Sequence, residues 1–91
     1  MVTKEQLDKA LEAWHVARET AMREHEAWRL TLGSHGSLID SLRANGHTWS
    51  KAQEEFQRIS NAHSEAYRAA LTAMDARCLD YQELLAKYDT Q

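Results

Sequence analysis

The segment from Trp49 to Tyr88 reads WSKAQEEFQRISNAHSEAYRAALTAMDARCLDYQELLAKY, with neither proline nor glycine. Its Ala, Glu, Leu, Gln, Lys and Arg are strong helix formers. At about 1.5 Å per residue it predicts one helix of roughly 60 Å, several times longer than the average globular helix. Length of this kind belongs to bundles and coiled coils. The start is predicted near Thr48 or Ser50, where Ser50 and Gln53 have the spacing of a capping box.

Two apolar rows run along this helix. One is alanine: Ala62, Ala66, Ala69, Ala73 and Ala76, in alternating steps of four and three. Small residues at such positions let two helix backbones approach closely. The other row is larger: Phe56, Ile59, Tyr67, Ala70, Met74, Cys78, Tyr81, Leu85 and Tyr88, with His63 among them.

Upstream, Leu7, Leu11, Trp14, Ala17, Ala21, Trp28 and Leu32 recur every three, four or seven residues, which marks one face of a helix over about 4–32. Thr3 and Gln6 form a capping pair at its start. Gly33 and Gly36 are predicted to end it, because glycine accepts the left-handed geometry of a helix C-terminus. A short helix is predicted over about 37–44, with Ser37 and Asp40 as its capping pair and Asn45-Gly46 as the closing turn.

The expected fold is therefore all-α: an antiparallel hairpin of two long helices joined by a short helix, in a single domain spanning 1–91. The alanine row, facing Ala10, Ala17 and Ala21 beside Trp14, is the predicted seam of the hairpin. The larger row is then too broad for the rest of the chain to cover. Exposing several aromatics would create an unusual apolar patch. Phe56, Ile59, Tyr67, Met74, Tyr81, Leu85 and Tyr88 are accordingly predicted to bind a partner. The economical partner is a second copy, giving a dimeric four-helix bundle; another protein would satisfy the same surface. The alternative is a monomer whose short segment folds back over the row.

Composition narrows the function classes. The chain has 91 residues, no proline, three glycines and a net charge of −3. Lys and Arg are spread along it rather than gathered into a phosphate-tracking face, which argues against nucleic acid. The lone Cys78 has no internal disulfide partner, Met1–Leu11 lacks a signal-peptide core, and no apolar run approaches the roughly 20 residues of a membrane span. The expectation is a cytoplasmic protein.

Candidate chemistry is thin. His15, His25, His35, His47 and His63 include no pair one helical turn apart, the spacing a helical zinc site uses. Cys78, among Met74, Tyr81 and Leu85, reads as a small buried hydrophobe rather than a reactive thiol. Trp14 and Trp28 read as core, and Trp49 as a pin for the connector. No catalytic residue, cofactor or metal is predicted.

Two partial resemblances stop short of a family. Leu42-Arg43-Ala44-Asn45-Gly46-His47-Thr48-Trp49 resembles the first helix and turn of a helix-turn-helix DNA reader, whose second turn and basic recognition helix have no counterpart after Ser50. Trp49-Ser50-Lys51 resembles the Trp-X-Gly element of the WXG100 helical hairpins, with lysine in place of the glycine. Three readings result: a non-catalytic protein–protein interaction module acting through its apolar helix face as a homodimer; a small phage or mobile-element inhibitor, of the anti-defence or anti-CRISPR type, that occludes a site on a host complex; and a helix-turn-helix-like DNA-binding regulator.

Overall fold

A computed structural model describes all 91 residues, Met1–Gln91. The chain is all-helical. Its elements are α1 (Lys4–Gly33), α2 (His35–Ala44) and α3 (Trp49–Asp89). No helix is long and apolar enough to cross a membrane.

The helix starts follow local chemistry. The Thr3 hydroxyl accepts from the Gln6 backbone N–H at 3.2 Å, and the Gln6 side chain accepts from the Thr3 backbone N–H at 2.9 Å. These reciprocal bonds satisfy donors that an uncapped helix would leave unpaired. At α3 the Thr48 hydroxyl accepts from Lys51 N–H at 3.2 Å. Thr48 is therefore the cap, while Ser50 lies inside the helix and Gln53 turns its side chain toward His35.

The junction of α1 and α2 departs from the sequence reading. A single residue, Ser34, separates the two helices. Its N–H donates to Leu30 O at 3.0 Å and its carbonyl accepts from Leu38 N–H at 2.9 Å, so helical hydrogen bonding continues on both sides. No left-handed residue is needed here, and neither Gly33 nor Gly36 has positive φ. α2 begins at His35, two residues before the predicted start, without a side-chain cap. Ser37 and Asp40 lie within it.

Glycine instead acts after α2. Gly46 has φ +96°, the one positive φ in the chain. His47 N–H donates to Leu42 O at 3.1 Å and Gly46 N–H to Arg43 O at 3.1 Å. This pair of bonds around a left-handed residue is a Schellman motif. Asn45 reinforces it through Nδ2, which donates to Ser41 O at 2.9 Å.

The chain forms two compact units. One comprises Met1–Met22 with Arg68–Gln91, the other Arg23–Tyr67. In the first, Leu7, Ala21 and Ala70 are buried. Its contacts run in opposite directions along the two helices: Val2 pairs with Gln91 through two hydrogen bonds, of 2.9 and 2.6 Å, and Trp14 stacks on Tyr81. In the second, Ile39, Ala52 and Phe56 form the core, with Leu38 and Leu42 packed against them. Ala52 is completely enclosed. An alanine suits this point, where α2 lies over the first turns of α3 and a longer side chain would overpack.

The glycines provide a direct check. Gly46→Ala should destabilise the protein by about 1 kcal/mol or more, because an L-residue pays for left-handed backbone. Gly36→Ala, in a helix with nothing within 4 Å of the added methyl, should stabilise by up to about 1 kcal/mol. Urea denaturation of both variants measures the two signs. Equal effects would contradict the assignment of these glycines.

Candidate interaction surface

The inward face of α3 is the aromatic row. Phe56 and Ala70 are buried, while Ile59, His63, Tyr67, Met74, Cys78, Tyr81 and Leu85 are half-buried. Of the alanine row, Ala62, Ala66, Ala69 and Ala73 are exposed and only Ala76 is half-buried. The expected seam is thus reversed. The physical reason is volume. Rings stand on both long helices, and each aromatic can remove 150–250 Å² from water, far more than an alanine methyl.

The rings pair within each unit. In the first, Trp14 stacks on Tyr81 at 6.0 Å between centroids and 25° between planes. In the second, Tyr67 lies 5.1 Å from His25 and 5.9 Å from Trp28, and the Phe56 and His35 rings meet edge-on with centroids 4.4 Å apart. Offset and edge-on arrangements of this kind suit the charge distribution of aromatic rings. Trp28 Nε1 is buried without an acceptor, so this packing leaves one donor unsatisfied.

Each residue predicted to bind a partner now has a place. Phe56 belongs to the core of the second unit. Tyr67 and Tyr81 pack against rings of α1. Ile59, Met74 and Leu85 are half-buried and keep an open edge, and Tyr88 is exposed. The row is thus partly used within the chain, and its half-buried members keep exposed area.

The remaining candidates are quickly located. Cys78 is half-buried and unbridged. His47 Nδ1 lies 3.0 Å from Leu42 O, and His35 Nε2 lies 3.3 Å from Gln53 Oε1. No group of three His, Cys, Asp or Glu residues is placed to hold a metal ion. Trp49 is 54% exposed, with the Arg43 guanidinium 5.5 Å from its ring centre. This cation–π contact ties the end of α2 to the start of α3.

Sequence reasoning missed one feature. In the first unit an open groove of about 370 Å³ runs between α1 and α3. Ala10 and Ala13 line it from α1, and Arg77, Asp80, Glu83, Leu84 and Lys87 from α3. Small residues on α1 leave this space unfilled. The signal was present in the spacing: the alanine row continues, in the same alternating steps, through Asp80, Glu83 and Lys87. A row that turns charged is facing water.

Surface charge is arranged in short pairs. Arg29 donates to Glu26 at 2.6 Å, Arg58 to Glu55, and Arg77 to Asp80 at 2.9 Å. The hydrogen bonds from Arg29 and Arg58 hold the Glu26 and Glu55 carboxyls below the usual glutamate range. Such depressed carboxyls stabilise the fold above the ordinary glutamate pKa and lose that effect as pH falls through their lowered values. Both pairs are solvent-exposed, so their weight is small.

No family model, curated protein or solved structure matches this chain.

The reversal of the two rows has a measurable consequence. Tyr81→Glu should lower stability by about 2 kcal/mol, since it removes a stacked, half-buried ring and places a charge in the seam. Ala66→Glu, on the exposed row, should change stability by no more than about 0.5 kcal/mol. Urea denaturation at fixed protein concentration compares them. The opposite ranking would restore the alanine seam.

Proposed function

We propose that this protein is a non-catalytic protein–protein interaction module that works through helix faces as a homodimer. In this reading α1 and α3 form an antiparallel hairpin, and two hairpins pack into a four-helix bundle. The opposed order of contacts in the first unit, Val2 with Gln91 and Trp14 with Tyr81, supports the hairpin.

One observation carries the proposal: the chain buries little of its apolar surface. Only Leu7, Ala21, Ile39, Ala52, Phe56 and Ala70 form the apolar core, and three of these are alanines. Val16, Met22, Leu30, Leu32, Trp49 and Leu79 are each about half exposed or more. The accessible area is 6588 Å², against roughly 5,400 Å² for a folded monomer of this mass. The excess, about 1,200 Å², is comparable to the roughly 800 Å² that each partner buries in an interface of ordinary size. A chain so short on core gains stability by association.

The other two readings draw less support. A helix-turn-helix reader needs a recognition helix after a turn, whereas α3 runs unbroken from Trp49 to Asp89. An inhibitor that occludes a host complex would use the same open faces, and no particular residue favours it.

Light scattering coupled to size exclusion tests the reading. The expected mass is about twice that of the 10.5 kDa chain at micromolar concentration, with dissociation on dilution. A mass of one chain, constant up to hundreds of micromolar, would overturn the homodimer.

A further inference from the structure

We propose that the groove in the unit formed by Met1–Met22 and Arg68–Gln91 is where the two copies meet, the α3 helices running antiparallel about a twofold axis level with Cys78 and Leu79. This inference rests on the homodimer reading and locates its interface.

The occupant follows from the charges around the groove. Arg77 and Lys87 supply two cations, and Asp80 and Glu83 two anions. A rim of one sign would select a partner of the opposite sign; a balanced rim suits a surface with the same balance, and another copy of this chain has one. A twofold interface is self-complementary by symmetry. With the axis placed as above, Arg77 of each copy lies opposite Asp80 of the other. The pair that each chain makes internally at 2.9 Å is joined by its counterpart into a four-charge ring. Both side chains are about half exposed, which leaves them free to turn outward.

The shape agrees with the charge. In the same register Leu84 of one copy lies opposite Ala73 of the other. Leu84 is half-buried at the groove, whereas Ala73 is exposed and presents only a methyl. A large side chain over a small one is the pairing that lets helices interdigitate closely. Ala69, exposed in the same row, extends the shallow surface by one turn, opposite the exposed Tyr88, again a large side chain over a methyl. The area argument also holds, since the chain exposes an excess of the size that one partner buries in a stable interface.

Complementary charge variants test the register. In Asp80→Arg the facing positions carry only cations; in Arg77→Asp they carry only anions. Each variant alone is expected to be monomeric where the wild type is dimeric, with at least a tenfold rise in the dimer dissociation constant. Far-ultraviolet circular dichroism should show the helix content of both variants unchanged. An equimolar mixture of the two is expected to form heterodimers of near wild-type affinity, measured by light scattering or by fluorescence transfer between labelled chains. A purely internal role for the Arg77–Asp80 pair would not be repaired by mixing. If the wild type dimerises and both variants still do, the groove belongs to another occupant and this inference falls while the homodimer stands. If the variants dissociate and mixing restores nothing, Arg77 and Asp80 do not face one another and the register is overturned. A monomeric wild type overturns both readings.

Discussion

Each compact unit depends on aromatic rings held between α1 and α3. Trp14 against Tyr81 serves one unit; Tyr67 against His25 and Trp28 serves the other. Helices gain most of their stability in proteins from packing an apolar face rather than from propensity. Here the packed face is sparse, since alanine fills many of its positions. The rings are the largest side chains that α1 and α3 place against one another, so their placement bears on which way each helix is turned.

That constraint explains what was legible in the sequence and what was not. The three helices were legible because proline is absent and the periodicity is sustained. The Thr3–Gln6 cap was legible because its residue types and spacing determine its hydrogen bonds. The rotation of α3 was not. Two rows of near-equal length alternate in the same steps, so spacing alone cannot rank them. Close backbone approach favours the alanine row, while burial of large side chains favours Phe56, Tyr67 and Tyr81. The rings on α1 tip the balance, because a ring facing alanine would leave another ring in water. The α1–α2 junction was misjudged for a different reason. Glycine permits left-handed backbone without requiring it, and Ser34 keeps the helical hydrogen bonds running through the position where a break was expected.

The polar aromatics belong to the same account. The rings of His25 and His35 lie against Tyr67 and Phe56. An imidazole at the margin of a thin core can pack against a neighbouring ring while a ring nitrogen stays within reach of a polar partner. His35 shows both aspects, with its ring on Phe56 and its Nε2 near Gln53. Residue type alone does not reveal such a role. It appears once the neighbouring ring is known.

With the rings turned inward, the alanine row becomes the flank of α3, and its composition matters in a new way. A seam of alanines has little means of specifying register, since sliding by one repeat sets methyl against methyl again. Apolar contact at such a surface contributes attraction without discrimination. The row does not stay uniform, however. Beyond Ala76 the same positions carry Asp80, Glu83 and Lys87, with Arg77 alongside. Charges at the edge of a seam distinguish one alignment from its neighbours, because a shifted partner meets like charge or leaves a charge without its counterpart. On the homodimer proposal the two halves of the row would have separate tasks: the small residues would permit close approach, and the charged end would make one approach better than the rest.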